Sequence, residues 1–423
     1  MSNQSSYPGP DSIVRRVLPN GITVLIYENF ASQTVVIDGG VRTGALAETA
    51  EKAGLAAFTA SLLMRGTQKR TFDEIYESLE SVGAEVGFTA GRHMTSFSGH
   101  SLVEDFDLVL DIIAESLCRP VFPPEQVEQL RGEILTSLLI RANDTRYMAT
   151  LRFYETLYGR EHPYGRSSSG YTETISAITR EDIVNFHNTW YGPKGMLVVI
   201  VGAIKAEDAL ARIEQTFGAW ENPQQPELPP IPSAAPPAQL TRVQTSLPEK
   251  SQTDIVMGLP GPLRSAPDYL DASLMNTILG VFGMMGRIGK SVREEQGLAY
   301  YAYSQLHGSV GPLPWYAVAG VAPENVEKTI ESIRAEIGRM QNELVPEDEL
   351  EDSKAYRIGS MPVGLETNSG LASVIGDIEF YQLGLDYLQR YPDMIREITP
   401  ERIQAAAQKY LSTEQLVVSV AGP

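Results

Sequence analysis

The sequence predicts an α+β fold in which two homologous α/β halves follow one another, each with a mixed or antiparallel sheet covered by helices. Three observations support this fold class: the length of 423 residues, an internal repeat, and a proline-rich segment near the middle. A chain of this length exceeds one ordinary hydrophobic core, so two domains are expected.

The internal repeat is the strongest of these observations. The stretch AITREDIVNFHNTWYGPKGMLVVIVGA, residues 177–203, aligns without a gap to EITPERIQAAAQKYLSTEQLVVSVAGP, residues 397–423, at an offset of 220 residues. In both stretches Ile-Thr precedes a helical pattern with an acidic first turn, and a strand pattern then ends in Gly202 or Gly422. The threonine is expected to cap each helix. The chain is therefore predicted to be a tandem repeat.

The proline-rich segment marks the boundary between the repeats. It reads ENPQQPELPPIPSAAPPAQ over residues 221–239, where proline density opposes helix and favours an extended connector. We expect a flexible N-terminal tail over 1–11, an N-terminal domain over 12–220, a linker over 221–241 and a C-terminal domain over 242–423.

The individual elements follow from apolar patterning. Strand patterns are GITVLIYEN and TVVIDGGVRTG in the first half, and TDIVMGLPG and WYAVAGVA in the second. Helical patterns run from Phe72 to Val82, from Asp105 to Cys118 and from Val326 to Met340. The stretch GLAAFTASLLMRGT, residues 54–67, predicts an amphipathic helix that ends in a turn at Gly66, and it has no ionisable side chain before Arg65.

Composition and charge argue against several classes of partner and site. A formal net charge of −19 opposes binding to nucleic acid or to an anionic membrane surface. Cys118 is the only cysteine, so an intrachain disulfide or a thiolate zinc cluster cannot form. The first residues resemble no secretory signal, and no stretch is long and apolar enough to span a bilayer. We expect a cytoplasmic protein.

The sequence contains no complete site of a familiar kind. No two of the five histidines have the i, i+4 spacing that places two metal ligands on one helical face. The stretch FGMMGRIGKS, residues 282–291, lacks the glycine spacing of a phosphate-binding loop, and we expect a flexible glycine-rich connection there. No cofactor is expected in this chain.

Three segments together resemble the M16 (pitrilysin-like, inverted zinc-motif) peptidase family. They are GLAAFTASLLMRGT, the following RTFDEIYESLESVGAEVGFTAGRHMTSF, and HPYGRSSSGYTETISAITREDIVNFHNTWYGP. The resemblance covers nearly the whole chain, in the order of short bacterial members and of mitochondrial processing peptidase subunits. In catalytic members the first segment reads G-L-A-H-F-L-E-H-M-L-F-K-G-T, where two histidines bind zinc and the glutamate activates water.

The resemblance places the metal-binding positions on residues that cannot bind metal. The first histidine falls on Ala57, the catalytic glutamate on Ala60 and the second histidine on Ser61. The family's third ligand, in the pattern R-x-x-I-L-x-E, falls on Ser137 of RGEILTS, and Glu133 is the nearest carboxylate. A zinc site needs three protein ligands, so no metal is expected here.

A second family motif is intact. SVREEQGLAYYAYS, residues 291–304, resembles the pattern in which an arginine and a tyrosine seven residues later reach the substrate. These positions are Arg293 and Tyr300. Guanidinium and phenol groups are strong donors that suit a peptide carbonyl or an oxyanion. Without the family, Arg293 would more often pair with a surface acid such as Glu294, and Tyr300 would be a core residue.

The resemblance implies a division of labour between subunits. We expect a non-catalytic subunit that completes the active site and peptide chamber of a zinc-bearing paralogue, with zinc in that partner and an unfolded peptide as substrate. Two alternatives remain open: a homodimeric structural or scaffold protein, and a module that binds peptides without cleaving them.

Overall fold

The computed structural model describes residues 7–423, so residues 1–6 of the expected tail lie outside the described part. Pro8 and Gly9, also assigned to that tail, are buried. The eleven strands of the described residues are β1 Ile13–Val17, β2 Thr23–Glu28, β3 Thr34–Val41, β4 Glu85–Ala90, β5 Thr95–Leu102, β6 Leu197–Gly202, β7 Thr241–Ser246, β8 Thr253–Pro260, β9 Ala299–Leu306, β10 Pro314–Val321 and β11 Val417–Gly422.

The α-helices of the described residues cover both halves of the chain. They are α1 Leu55–Leu62, α2 Phe72–Glu80, α3 Phe106–Cys118, α4 Pro124–Arg141, α5 Thr145–Tyr158, α6 Thr172–Ala177, α7 Arg180–Trp190, α8 Ala206–Phe217, α9 Tyr269–Gly280, α10 Phe282–Gly289, α11 Val326–Asn342, α12 Glu347–Gly364, α13 Asn368–Phe380, α14 Tyr387–Arg396 and α15 Pro400–Tyr410. A π-helical turn, Lys290–Glu295, follows α10 directly. No described helix has both the length and the apolar character needed to cross a bilayer.

The two halves have the same strand order, which confirms the tandem repeat. The first sheet runs β1-β2-β6-β3-β5-β4 and the second β7-β11-β8-β10-β9, so they differ only by β1 at one edge. In each sheet one pair of neighbouring strands is parallel, β2 with β6 and β7 with β11, and the other pairs are antiparallel. The sheets are therefore mixed.

The repeated helix-turn-strand segments form as the sequence predicts. Thr179 caps α7 by accepting from the backbone N–H of Asp182 at 3.1 Å, and Thr399 caps α15 by accepting from that of Arg402 at 3.4 Å. The strands that follow, β6 and β11, are buried along their whole length. Each is an interior strand of its sheet, which explains the continuous apolar runs.

Each compact unit contains a helix from the other half of the sequence. The first unit combines residues up to 137 with 167–230 and 362–390, and the second combines 138–166, 231–361 and 391–423. In the first unit α13 packs on β3 and β6, where Ile375 contributes to the core. In the second unit α5 packs on β8 and β11, where Phe153 does so. Residues 221–240 form neither helix nor strand.

Two local expectations were wrong. Helix α1 is not amphipathic, because six of its eight residues are buried, so it lies in the core instead of at the surface. The glycine-rich stretch from Phe282 is not a connection but helix α10. Gly283 and Gly286 have φ values of 61° and 66° there, a region that glycine tolerates and that makes the helix irregular.

Candidate functional site

A buried carboxylate and two glycines fix the position where helix α1 begins. Glu48 accepts hydrogen bonds from the backbone N–H groups of Gly54 at 3.0 Å and Ala56 at 2.9 Å, so its charge satisfies the first turn of the helix. Gly54 has a φ of 94°, and a Cβ there would lie 2.7 Å from the Cα of Gly170. The helix start is thus fixed by Glu48, a residue that the sequence analysis did not single out.

The four positions that correspond to the family's zinc site lie on α1 and α4. Ala57 is half-buried, Ala60 is 1% exposed and Ser61 is exposed. Ser137, near the end of α4, is half-buried. Two methyl groups and two neutral hydroxyls supply neither the imidazole nor the carboxylate donors that zinc requires. Within residues 7–423, no cluster of three or more His, Cys, Asp or Glu is arranged to hold a metal ion.

Glu133, the carboxylate nearest to Ser137 along the sequence, forms an ion pair with an arginine. Glu133 Oε2 accepts from Arg65 Nη2 at 2.6 Å, and Glu133 Oε1 accepts from the amide of Gln129 at 3.2 Å. Arg65 also donates to Gln126 at 3.3 Å, and its guanidinium lies 5.4 Å from the ring centroid of Phe72. Arg65 therefore ties the turn after α1 to α4 through an ion pair and to α2 through a cation–π contact.

A second arginine holds the same two helices together. The guanidinium of Arg131, on α4, lies 5.3 Å from the ring centroid of Phe58 on α1 and donates to the carbonyl of Ile175 at 2.5 Å. Phe58 itself is fully buried. The α1–α4 pair is thus held by aromatic and ionic contacts among residues that are not in the zinc-binding positions.

Helix α1 packs against β4, which is an edge strand of the first sheet. The corresponding edge strand of the second sheet is β9. An edge strand has backbone N–H and C=O groups that are unpaired on one side, so an extended peptide can add to it. Edge position depends on long-range pairing, and local sequence patterns did not reveal it.

Two buried histidines have structural roles. His187 Nε2 lies 2.9 Å from the carbonyl of Leu117, and burial lowers the pKa of this histidine. His162 Nδ1 accepts from the backbone N–H of Tyr164 at 3.0 Å and caps a short 3-10 turn. Burial lowers the pKa of His162 as well.

Arg293 and Tyr300 lie on consecutive elements of the second unit. Arg293 is in the π-helical turn, where it is half-buried, and Tyr300 is the second residue of β9, where it is 80% exposed. Gly297, with a φ of 62°, connects the two elements. Among the described residues, neither side chain makes a hydrogen bond or an ion pair, so Glu294 does not pair with Arg293. Tyr300 is not a core residue.

Comparison with known proteins agrees with this architecture. The family model described as "Insulinase (Peptidase family M16)" matches residues 23–163, and the model described as "Peptidase M16 inactive domain" matches residues 177–356. An uncharacterized zinc protease of Mycobacterium leprae is 27% identical over 414 residues, which cover 97% of this chain and 92% of that protein.

Two further similarities extend over almost the whole chain. A probable mitochondrial-processing peptidase subunit beta of Arabidopsis thaliana is 22% identical over 422 residues, covering 96% of this chain and 77% of that protein. The crystal structure of a peptidase M16 inactive domain from Pseudomonas fluorescens superimposes with a TM-score of 0.90 at 26% identity, covering 97% of this chain and 98% of that one.

Proposed function

The chain belongs to the M16 peptidase family, and on that premise we propose that it is a non-catalytic subunit which completes the active site of a zinc-bearing paralogue. In that assembly the paralogue supplies the zinc ion and the activated water. This chain supplies part of the peptide-binding chamber and two hydrogen-bond donors, Arg293 and Tyr300. The proposed substrate is an unfolded peptide.

The proposal rests on a contrast between the family's zinc-binding positions and the pair Arg293 and Tyr300. The zinc-binding positions hold side chains without metal-binding groups, and Glu133 is engaged by Arg65. Arg293 and Tyr300, in contrast, keep their donors unused by any described residue. A side chain that serves only the fold is normally buried or paired, and Tyr300 is neither.

The chemistry of these two groups suits peptide hydrolysis. When water attacks a peptide carbonyl, negative charge develops on the carbonyl oxygen, and donors aimed at that oxygen stabilise the transition state. A guanidinium can donate two parallel hydrogen bonds and a phenol one. Arg293 and Tyr300 would therefore bind the carbonyl weakly in the substrate and strongly as the oxyanion forms.

The edge strands offer a way to hold the peptide. An extended chain that adds to a sheet edge is positioned by main-chain hydrogen bonds, which do not depend on its sequence. This suits an unfolded substrate. Tyr300 lies on the edge strand β9 itself.

The partner is proposed from the family relationship. The Arabidopsis relative is named as one subunit of a processing peptidase. We propose that this chain is also a subunit, and that its partner is a homologue that carries a complete H-x-x-E-H motif. We also propose a cytoplasmic location, because no described helix could span a membrane and a lone Cys118 is compatible with a reducing compartment.

Co-purification tests the proposed partnership. The tagged chain is isolated from the cells that make it, and bound proteins are identified by mass spectrometry. A stoichiometric H-x-x-E-H paralogue, together with zinc-dependent cleavage of an unfolded peptide by the pair, is the expected result. A homodimer without that paralogue supports the scaffold alternative, and peptide binding by the chain without any cleavage by the complex supports the binding-module alternative.

A further inference from the structure

A second cationic group packs against β9, the strand that carries Tyr300, on the face of the sheet covered by α5. The guanidinium of Arg146, the second residue of α5, lies 5.2 Å from the ring centroid of Tyr301 and 5.6 Å from that of Tyr303. One of its nitrogens donates a hydrogen bond to the hydroxyl of Tyr303. The two rings are 6.0 Å apart. Arg146 is therefore held across both tyrosines while it remains exposed to solvent.

The buried end of this cluster is a carboxylate whose hydrogen bonds come from neutral donors. Asp254, 1% exposed on β8, accepts hydrogen bonds from the hydroxyl of Tyr301, from Thr145 Oγ1 at 2.6 Å and from Gln252 Nε2 at 3.2 Å. Burial, together with the Asp254 carboxylate, raises the pKa of Tyr301, so that this phenol stays neutral and keeps donating. Asp254 is thus engaged by three donors.

Arg146 has no acidic partner within the described chain. No carboxylate of residues 7–423 lies within ion-pair distance of its guanidinium. Asp144, two residues earlier, caps α5 by accepting from the backbone N–H of Tyr147 at 2.6 Å. The remaining guanidinium donors of Arg146 are therefore not used by any acid of the described chain.

We infer that Arg146 and Tyr303 form a binding site for a carboxylate group. A stacked guanidinium keeps its planar fork oriented, and this fork matches a carboxylate with two parallel hydrogen bonds. Because the Tyr303 hydroxyl accepts from Arg146, its own hydrogen is free to donate to the same ligand. The rings of Tyr301 and Tyr303 form the apolar wall of the site.

The ligand is the carboxylate of an extended peptide, either an acidic side chain or a free C-terminus. This identification rests on the proposed function, because it takes the ligand to be a peptide. Strand β9 is the sheet edge, so a peptide paired with it runs past Tyr300, Tyr301 and Tyr303 in turn. Side chains of such a peptide alternate between the two faces, and those on the α5 side reach Arg146.

Direct binding to the purified chain tests this site without the partner subunit or any turnover. The probes are three fluorescent, unstructured ten-residue peptides of Gly, Ser, Thr and Val. The first has a central Glu and an amidated C-terminus, the second has Gln and an amidated C-terminus, and the third has Gln and a free C-terminal carboxylate. Fluorescence anisotropy gives the dissociation constants at low ionic strength.

The site predicts that at least one carboxylate-bearing peptide binds roughly tenfold or more tightly than the amidated Gln peptide, the scale of a charge-assisted hydrogen-bond pair. Which of the two binds tightly identifies the source of the carboxylate. Arg146→Gln should abolish the preference, and Tyr303→Phe should weaken it because the ring stays while the hydroxyl is lost. Arg16→Gln, an exposed arginine on edge strand β1, is the matched control and should leave it unchanged.

Equal binding of all three peptides by the wild-type chain, or no binding of any, would overturn the site. A carboxylate preference that survives Arg146→Gln in a folded variant, judged by circular dichroism and thermal melting, would also overturn it. If the wild-type chain shows no carboxylate preference but the pair with a paralogue turns over normally, the binding site is wrong and the proposed function stands. If the wild-type chain prefers carboxylate-bearing peptides but no paralogue partner is found, the binding site stands and the proposed function is wrong.

Discussion

Arg65 Nη2 donates to Glu133 Oε2 across 2.6 Å, which joins the turn after α1 to the middle of α4. Glu133, the carboxylate nearest to Ser137 along the sequence, is therefore part of an ion pair. Contacts of Arg65, Arg131 and Phe58 hold the two helices together, and Ala57, Ala60, Ser61 and Ser137 carry only methyl and hydroxyl groups. Helices α1 and α4 therefore pack together without the residues that would bind a metal ion.

The first prediction is that the purified chain binds no zinc at Ala57, Ala60, Ser61 and Ser137. The reason is that no imidazole or carboxylate is present at these positions, while a zinc site needs at least three such ligands. Metal analysis after dialysis against zinc should give much less than one ion per chain.

A variant with restored ligands controls that measurement. Ala57→His, Ser61→His and Ser137→Glu together supply three ligands, the two histidines being four residues apart on α1. This triple variant should retain zinc in the same assay. One tightly held zinc in the wild-type chain, lost when residues 57–61 are mutated, would contradict the assignment.

The second prediction concerns the two equivalent helix caps. Thr179→Ala and Thr399→Ala should each lower the free energy of unfolding by about 1 kcal/mol, the usual cost of losing an N-cap. Thr179→Ala should cost more. Its cap is shorter, 3.1 Å against 3.4 Å, and its hydroxyl also contacts the Asp182 carboxylate that binds Lys52.

Urea unfolding followed by circular dichroism measures both losses. Serine at either position keeps the hydroxyl and serves as the matched control. If Thr399→Ala proves the more costly change, the difference in cap geometry does not determine stability.

The third prediction is that cutting the proline-rich linker leaves the two fragments together. The exchanged helices α5 and α13 place residues from both fragments in each compact unit, with Phe153 and Ile375 fully buried. Separation would expose both apolar helix faces to water. A protease site inserted after Ala235, which is exposed, permits the cut.

Gel filtration of the cut protein should show a single species of unchanged size that separates only in denaturant. The uncut protein with the same insertion is the control. Two separate peaks in native buffer would show that the exchanged helices do not hold the fragments together.

The fourth prediction is a pH dependence of stability that originates at His93. Burial lowers the pKa of His93 to about 4, and the charges of Arg92 and Arg42 act in the same direction. In the unfolded chain the pKa is near its ordinary value of 6.5. Between these two values the unfolded state binds the extra proton, so acidification destabilises the folded state.

Urea midpoints measured from pH 7.5 down to pH 4 test this. His93→Gln should remove a slope of up to about 1.4 kcal/mol per pH unit in that window and leave the slope above pH 7 unchanged. A slope that is identical in the variant would contradict the assignment to His93.

Sequence patterns predicted the elements that depend on local chemistry. The repeated capped helices and the buried strands β6 and β11 followed from periodicity and capping residues. The sequence predicted a mixed or antiparallel sheet, and the parallel pairs β2 with β6 and β7 with β11 make it mixed. The equal strand order of the two halves followed from the 220-residue repeat, because similar sequences fold alike.

Features that depend on long-range packing could not be predicted in the same way. The apolar pattern of α1 looked amphipathic, but packing against other elements buries six of its eight residues, and Glu48 satisfies the backbone N–H groups of its first turn. The exchange of α5 and α13 leaves no local signal, because an apolar helix face does not specify which sheet covers it. The stacking of Arg146 on Tyr301 and Tyr303 joins residues more than 150 positions apart.

The most direct test of the central claim is the turnover of the reconstituted pair. The zinc-bearing paralogue is mixed with the wild-type chain, with Arg293→Ala or with Tyr300→Phe; assembly is confirmed by sizing, and the initial rate on an unfolded peptide is measured. Each change should lower the rate roughly 10²- to 10³-fold, the scale for losing one oxyanion donor. Assembly and melting temperature should not change, because neither side chain is paired within the described chain. Wild-type rates from correctly assembled complexes of both variants would contradict the account.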